Sequence, residues 1–184
     1  MEPENNQSNV RLFVALAVPP DLREKLSALP HKGLDANWSH PDDYHITIRF
    51  LGDLAAERLP VIEQALSRVR RPPFGMEVGG LGVFANKNQS ILHAQVPSVR
   101  KLETLCADIT DVLVPLGFDF GLRPFVPHVT VARVKGQRGL ADYIARHGRL
   151  VAARWQAAEF HLMRSASPDG VGRRYTVLQT YPLR

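Results

Sequence analysis

The stretches His45-Ile46-Thr47-Ile48 and His128-Val129-Thr130-Val131 carry the same pattern, in which a histidine and a threonine alternate with β-branched apolar residues. In a β-strand, residues two positions apart point to the same face of the sheet. The histidine and threonine of each copy therefore share one face, and the isoleucines or valines point the other way, into a core. The two copies predict a surface that presents two imidazoles and two hydroxyls.

These groups suit the opening of a cyclic phosphodiester by water. The attacking water loses a proton and the leaving ribose oxygen gains one, and His45 and His128 can serve as acid and base because histidine titrates near neutral pH. Thr47 and Thr130 are predicted to bind substrate by donating to the non-bridging phosphate oxygens, where charge builds up in the transition state. No metal or other cofactor is required, since two histidines without a third positioned ligand make a poor zinc site.

The rest of the chain predicts that the pattern lies in a duplicated α+β fold. Around each motif strand the sequence has the same order: a helix, the motif strand, a second helix and two further strands. We expect a bilobal pseudo-twofold duplication, with two largely antiparallel sheets forming a central cleft and helices on the outside. The predicted strands are 11–17, 44–51, 74–83, 90–96, 128–134, 154–164 and 173–180, the predicted helices are 21–29, 56–70, 99–116 and 139–147, and residues 30–43 are a predicted loop.

Length and composition place the chain among single-domain globular proteins without disulfides. Its 184 residues predict a single bilobal domain at residues 10–184 after a disordered tail at residues 1–9. Cys106 is the only cysteine, so no intrachain disulfide can form, which favours a reducing, cytoplasmic location. The net charge of +5 is compatible with a polyanionic partner such as RNA, and no apolar run approaches the ~20 residues that span a bilayer.

Beyond the two motifs, the sequence resembles the two-histidine phosphoesterase superfamily. Within it, the chain is similar to the RNA 2′,3′-cyclic phosphodiesterases of bacteria and archaea, also called the 2′-5′ RNA ligase family. The resemblance runs from Arg11 to Leu183. Besides the motif strands, it is carried by Arg11-Leu12-Phe13-Val14-Ala15, Phe50-Leu51-Gly52, Leu81-Gly82-Val83-Phe84, Arg123-Pro124-Phe125, Phe160–Ser165 and Arg174–Leu178.

The resemblance implies a metal-independent phosphodiesterase that opens RNA 2′,3′-cyclic phosphate ends to 2′-phosphomonoesters in a central cleft. Its substrates would be RNA or oligonucleotides with such an end, and cyclic nucleotides. It also implies that His45 is the proton donor to the leaving 3′-oxygen and that His128 is the proton acceptor that activates water. The motifs themselves are symmetric, so the two roles are interchangeable on the evidence of the residues alone.

Other residues near the motifs are candidates for substrate binding. Arg133 matches a family arginine expected near the nucleotide, although a flat strand would point it away from the His128 face and a bulge would be needed to redirect it. Arg49 shares the parity of the first motif histidine and is expected at the cleft mouth. Tyr175 is expected to support the cleft. His93 departs from the family, whose members often have a tryptophan there that can stack on a base.

Two other functions use the same features. A 2′-5′ RNA ligase or phosphodiesterase activity would employ the same residues, and the sequence does not separate it from hydrolysis. A non-catalytic nucleotide- or RNA-binding module on the same fold would not need two titrating imidazoles, which argues against it. A monomer is expected, because both motifs lie in one chain and complete the site without a partner.

Overall fold

The computed structural model describes residues 9–97, 99–122, 124–165 and 174–184. The predicted tail at residues 1–9 lies outside these ranges except for Asn9, which begins the first strand. Arg123, one carrier of the family resemblance, also lies outside them. None of the helices in these ranges has the length and apolar character needed to cross a bilayer.

Ten β-strands and four α-helices, with short 3₁₀ turns, lie in the described ranges. The strands are β1 (Asn9–Ala17), β2 (Ala36–Trp38), β3 (His45–Ala55), β4 (Phe74–Val78), β5 (Leu81–Phe84), β6 (Gln89–Gln95), β7 (His128–Lys135), β8 (Ala153–Ala157), β9 (Glu159–Ser165) and β10 (Tyr175–Pro182). The helices are α1 (Pro20–Ser27), α2 (Leu59–Leu66), α3 (Arg100–Leu113) and α4 (Leu140–His147).

The strands form one large sheet and one small one. The large sheet has eight strands in the order β10-β9-β1-β3-β7-β6-β5, with β2 also paired to β7, and the small sheet consists of β4 and β8. The ladders between these strands are antiparallel. The motif strands β3 and β7 are neighbours, joined through the pair Ile46–Val129, and the sheet parts into two lobes along this line. The predicted α+β architecture with antiparallel sheets is confirmed.

The two lobes exchange strands between the two halves of the sequence. Strand β9, from the second half, pairs with β1, which itself pairs with the motif strand β3. Strands β5 and β6 both come from the first half and pair with each other. Strand β6 then pairs with β7, the motif strand of the second half. Periodicity identifies strands but carries no information about their partners, so the exchange is visible only in the fold.

Three predicted segments differ from the observed elements. The predicted loop 30–43 contains the short strand β2, and the predicted strands 74–83 and 154–164 each consist of two strands. Between β4 and β5 the chain turns at Gly80, whose φ of +128° is accessible mainly to glycine. The turn allows β4 to leave the large sheet and pair with β8.

One face of the large sheet packs against the helices and the other forms the floor of a cleft. Helix α3 buries Leu102, Leu105 and Ile109 at helical spacing in the same core as the apolar residues of the motif strands. These motif residues are buried, which confirms their predicted inward direction: Ile46, Ile48, Val129 and Val131. The cleft face instead carries a small cluster of Phe13, Ala15 and Met163, with Tyr175 packed on it.

Candidate active site

Two β-bulges at equivalent places set the directions of side chains along the motif strands. In the β1–β3 ladder the register shifts after Thr47 and leaves Ile48 as the extra residue. In the β6–β7 ladder it shifts after Thr130 and leaves Val131 as the extra residue. A bulge reverses the alternation of faces beyond it. The motif residues before each bulge therefore keep the alternation expected of a flat strand, and the residues just after it point to the opposite face. In the β1–β3 ladder a second shift, with Leu51 as the extra residue, restores the original direction farther along β3.

The polar motif side chains meet in a cleft of about 660 Å³ over the open face of the sheet. Six of the residues singled out from the sequence line this cleft: His45, His128, Thr47, Thr130, Arg133 and Tyr175. Together with Arg133, the lining has four arginines and two aspartates: Arg11, Arg133, Arg164, Arg174, Asp43 and Asp53. The excess of guanidinium groups makes the cleft attractive to an anion.

The backbone holds both motif histidines by their Nδ1 atoms. Nδ1 of His45 lies 2.7 Å from the carbonyl oxygen of Asp43, and Nδ1 of His128 lies 2.8 Å from that of Val126. A carbonyl oxygen only accepts hydrogen bonds, so each Nδ1 carries a hydrogen and donates it. In both rings Nε2 is therefore the atom that can take up or release a proton in the cleft.

Aromatic rings enclose the imidazole of His45. The ring centroid of Phe13 lies 4.9 Å from the imidazole centroid at an angle of 37°, and Tyr175 meets the imidazole edge-on at 4.9 Å. The hydroxyl of Thr47 lies 3.0 Å from Nε2 and donates to it when the ring is neutral. These contacts fix the plane of the ring and shield it from water.

This shielding shifts the acid–base balance of His45. Burial lowers the pKa of His45 to about 4, opposed by its hydrogen bond to the Asp43 carbonyl and assisted by the positive charges of His128 and Arg133. Burial acts in this direction because a low-polarity surrounding disfavours the charged imidazolium. In the unliganded protein His45 is neutral at pH 7.

A different pair of rings supports His128. Phe84 meets the imidazole edge-on at a centroid distance of 4.9 Å, and His93 lies at 5.4 Å. Phe84 and His93 stack on each other at 4.1 Å. Gly82 makes room for them, since a Cβ there would lie 2.8 Å from Nε2 of His93. Burial lowers the pKa of His93, so this third imidazole packs as a neutral ring.

The bulge at Val131 turns Arg133 toward the cleft. In a flat strand Arg133 would point away from the face that carries His128, whereas in the structure it lines the cleft. Its charge contributes to the lowered pKa of His45 on the neighbouring strand. The bulge that the sequence analysis required for this arginine is present.

The bulge at Ile48 has the opposite effect on Arg49, and the expectation that Arg49 reaches the cleft mouth is corrected. Its Nε donates to Oγ1 of Thr110 on α3 at 2.8 Å, and its guanidinium carbon lies 5.1 Å from the ring centroid of Phe120. Arg49 therefore packs on the helix side of the sheet. The next residue, Phe50, takes the cleft-facing direction instead.

Asp43 links two parts of the site, the motif histidine of β3 and the start of β10, although the sequence pattern does not single it out. Its carbonyl accepts the hydrogen bond from His45, and its carboxylate accepts one from the backbone N–H of Arg174 at 3.1 Å. The carboxyl group is buried, which raises its pKa. Asp43 thereby ties the start of β10, including Tyr175, to the side of the cleft that carries His45. Its only sequence signal is its place two residues before the motif histidine.

The arrangement brings two groups capable of proton transfer into one cleft. Each motif strand contributes one Nε2 atom and one hydroxyl, and Arg133 adds a positive charge beside them. Within the described ranges, no three side chains of histidine, cysteine, aspartate or glutamate come together as metal ligands. Two imidazoles that line one cleft are groups capable of general acid–base catalysis.

One family model matches most of the chain. The LigT like Phosphoesterase family matches in two consecutive stretches, residues 16–92 and residues 95–172. Each stretch contains one motif strand with its bulge. This agrees with the duplication that the order of elements predicts.

Individual relatives and solved structures extend the match. The RNA 2′,3′-cyclic phosphodiesterase of Archaeoglobus fulgidus is 31% identical over 169 residues, which are 88% of this chain and 94% of the relative. The enzyme of that name from Geobacillus stearothermophilus is 34% identical over 132 residues, 66% of this chain but 41% of the relative. The crystal structure of Escherichia coli LigT complexed with 3′-AMP has a TM-score of 0.75 at 24% identity and covers 96% of this chain and 99% of that chain. The last comparison shows a shared fold.

Proposed function

The chain belongs to the LigT-like phosphoesterase family, and on that basis we propose that it hydrolyses RNA 2′,3′-cyclic phosphate ends to 2′-phosphomonoesters without a metal. The observation that carries the proposal is the pair of Nε2 atoms, one from His45 and one from His128, in a single arginine-lined cleft. Relatives named RNA 2′,3′-cyclic phosphodiesterase support the substrate class.

The reaction needs one proton taken from water and one proton given to the leaving oxygen. Nε2 of one histidine accepts the water proton as the new P–O bond forms, and Nε2–H of the other protonates the 3′-oxygen as the P–O3′ bond breaks. The phosphate remains on the 2′-oxygen. The hydroxyls of Thr47 and Thr130 donate to the non-bridging oxygens, and Arg133 offsets their negative charge. Tyr175 contributes by holding the ring of His45.

We assign the proton-donor role to His45 and the proton-acceptor role to His128. The low pKa of His45 in the unliganded protein opposes this assignment, because an imidazole with a pKa of about 4 is neutral at pH 7. A phosphodiester anion beside the ring favours its protonated form, so substrate binding raises the pKa of His45 and lets the ring take up from solvent the proton that it donates. Without that effect the two roles are exchanged.

A cyclic substrate with sulfur in place of the 3′-oxygen tests the assignment. A thiolate leaves without protonation far more readily than an alkoxide, since a thiol has a pKa of about 8.5. This substrate should restore turnover to His45→Ala and should not restore it to His128→Ala. Rescue of His128→Ala alone would exchange the two roles.

Phosphorus NMR of an oligonucleotide that ends in a 2′,3′-cyclic phosphate tests the function itself. With a chelator present, the cyclic resonance should give way to that of a 2′-phosphomonoester. A 3′-phosphomonoester would contradict the regiochemistry, and dependence on added metal would contradict the mechanism. Binding without turnover would favour a binding module, and an added RNA with a 5′-hydroxyl end reports 2′-5′ ligase activity at the same site.

The protein is further proposed to act as a cytoplasmic monomer. Both motif strands and the residues that support them come from one chain, so the catalytic groups are complete in a single copy. Light scattering of the purified protein should give the mass of one chain. A stable dimer whose disruption abolishes turnover would contradict this part of the proposal.

A further inference from the structure

Asp43 stands just before the first motif strand, and each of its polar groups takes part in a hydrogen bond. Its backbone N–H donates to the carbonyl oxygen of His40 at 2.9 Å, and its own carbonyl oxygen lies 2.7 Å from Nδ1 of His45. Its two carboxylate oxygens lie 3.1 Å and 3.4 Å from the backbone nitrogen of Arg174. Only 6% of Asp43 is exposed, and a carboxylate is costly to bury unless such partners satisfy it.

The carboxylate of Asp43 holds the chain segment that carries Tyr175. Its partner Arg174 is 131 residues away along the chain, and the backbone N–H of Tyr175 also donates to the carboxylate. The ring of Tyr175 packs edge-on against the imidazole of His45 at a centroid distance of 4.9 Å and against Phe13 at 5.1 Å. The carboxylate therefore fixes the backbone of the residue whose ring covers His45.

A second cavity, of about 370 Å³, adjoins the same two rings. Its lining includes Arg23, His161 and Met163. His45 and Tyr175 line this cavity as well as the catalytic cleft, so their rings stand between the two spaces. If the ring of Tyr175 moved away, water would reach the imidazole of His45 from both sides.

We propose that Asp43 is a positioning residue for the reaction: its carboxylate anchors the start of β10, so that the ring of Tyr175 holds His45 in place and excludes water from it. The proposal rests on the proposed function, because it takes His45 as one of the two acid–base groups. The carboxylate acts through Tyr175 and not on the reacting atoms.

The second motif strand has a valine at the equivalent position, and its side chain cannot accept a hydrogen bond. The carbonyl oxygen of Val126 lies 2.8 Å from Nδ1 of His128, and 53% of Val126 is exposed. The backbone contact to the imidazole is therefore common to both halves, whereas the carboxylate belongs to the first half alone. Since a carbonyl suffices to orient the ring, the buried carboxylate has a separate task.

Titration of His45 by NMR tests the anchor without relying on turnover. Asp43→Ala and Asp43→Asn both keep the backbone carbonyl that holds Nδ1, so they change the side chain alone. Burial is the main cause that lowers the pKa of His45 from 6.5 to about 4, and loss of the anchor should let this pKa rise back toward 6.5. The rise should be smaller in Asp43→Asn, which retains one oxygen for the backbone N–H of Arg174.

Two further variants separate the anchor from other effects on the same titration. Arg174→Ala removes a guanidinium group but keeps the backbone N–H that donates to Asp43, so the pKa of His45 should stay at about 4. Asp142 on α4 is exposed and lies outside the residues that line the cleft. As the matched control, Asp142→Ala should keep both the pKa of His45 and kcat.

Steady-state kinetics with a cyclic-phosphate oligonucleotide tests whether the anchor acts through Tyr175. Asp43→Ala should lower kcat roughly 10- to 100-fold, as for a small misplacement of a catalytic group. The double variant with Tyr175→Ala should lose no more than Tyr175→Ala alone, because residues that act as a unit are not additive. Circular dichroism checks folding, and Asp43→Asn carries both measurements if Asp43→Ala does not fold.

Three results would overturn the anchor. An unchanged pKa of His45 in the Asp43 variants would show that the carboxylate does not shield the ring. A fall in this pKa would show that Asp43 acts as a nearby negative charge instead. A loss of kcat in the double variant equal to the product of the single losses would show that Asp43 acts independently of Tyr175. Absence of turnover in the wild-type protein would count against the proposed function, and the titration of His45 then decides on the anchor.

Discussion

The two motif strands share their backbone geometry and differ in their surroundings. In both, the histidine donates its Nδ1 hydrogen to the carbonyl two residues earlier, and a bulge follows the threonine. The ring of His45 packs between Phe13 and Tyr175, while that of His128 packs against Phe84 and His93. The duplicated backbone supplies two equivalent proton-transfer atoms, and the neighbours make them unequal. Such a difference favours one ring as the acid and the other as the base in a single reaction.

The difference between the surroundings of the two histidines arises at the position opposite the motif threonine, which is equivalent in the two ladders. Ala15 stands opposite Thr47 in the first half, and His93 stands opposite Thr130 in the second. The small side chain leaves space for the larger rings around His45. The imidazole in the second half fills the corresponding space itself.

Removal of either motif histidine, the residue that the two motif strands share, should have the largest effect. His45→Ala and His128→Ala should each lower kcat roughly 10²- to 10⁴-fold, as for loss of one general acid or base. The matched control is His31→Ala, since His31 is exposed and does not line the cleft. Steady-state kinetics with a cyclic-phosphate oligonucleotide measures the effect. Near-full activity in either cleft variant would contradict paired catalysis.

The two threonines should prove equal in one measurement and unequal in another. Thr47→Val and Thr130→Val should each lower kcat roughly 10²-fold, the cost of one donor to a developing oxyanion. Only the hydroxyl of Thr47 also contacts Nε2 of its histidine, at 3.0 Å. Loss of this contact changes the surroundings of the ring, so the pKa of His45, followed by NMR, should shift in Thr47→Val and stay constant in Thr130→Val. Equal behaviour in the titration would contradict this role of the hydroxyl.

Strand parity predicts the motif residues correctly and fails beyond the bulges. His45, Thr47 and the buried Ile46 lie where a flat strand places them. Arg49 and Arg133 lie past the extra residue, so both point opposite to the flat-strand direction. The sequence of a bulge resembles that of an ordinary strand, which is why its position has to be seen in the ladder. The spacing of Arg133 in the family pattern was a better guide than its parity.

The elements of the fold follow from periodicity better than their pairing does. The leucine and isoleucine spacing in α3 predicts a helix, and Gly117 ends the helical segment with a φ of +86°. The exchange of β5 and β9 between lobes depends on contacts between distant parts of the chain. Asp43 is missed for the same reason, since its partner Arg174 lies 131 residues away.

The buried environment of His45 should make stability depend on pH. Its pKa falls from 6.5 in the unfolded chain to about 4 in the folded protein, so between these values the unfolded state binds more protons. The contribution of His45 to the free energy of unfolding should therefore be fully present above pH 6.5. It should be lost as the pH falls through about 4, which lowers the free energy of unfolding by about 3 kcal/mol. Urea unfolding at pH 7.5 and pH 4 measures the change. His45→Gln has no ionisable ring and should lose this pH-dependent contribution. A pH dependence that is the same in His45→Gln and in the wild type would contradict the role of His45.

The two bulge-directed arginines offer a comparison of smaller effects. Arg133→Ala should lower kcat/KM roughly 10-fold, since it removes a charged donor beside the phosphate. Arg49→Ala should instead lower the melting temperature through loss of its contacts with Thr110 and Phe120 and change kcat/KM little. Steady-state kinetics and thermal unfolding of both variants show whether each arginine acts on the substrate or on stability. A large kinetic effect of Arg49→Ala would place this arginine back at the substrate.

The smallest expected effect belongs to His93, where the halves differ most. His93→Ala places an alanine in the second half at the position that Ala15 occupies in the first. It removes the ring that packs against His128, so kcat should fall a few-fold, with KM little changed. His93→Phe keeps an aromatic ring on Phe84 and should retain activity, because the imidazole is neutral and acts by packing. If His93→Phe loses as much as His93→Ala, the imidazole takes part in proton transfer. If KM and the preference for the terminal base change instead, the ring contacts the base, and its place in the second half serves recognition rather than the position of His128.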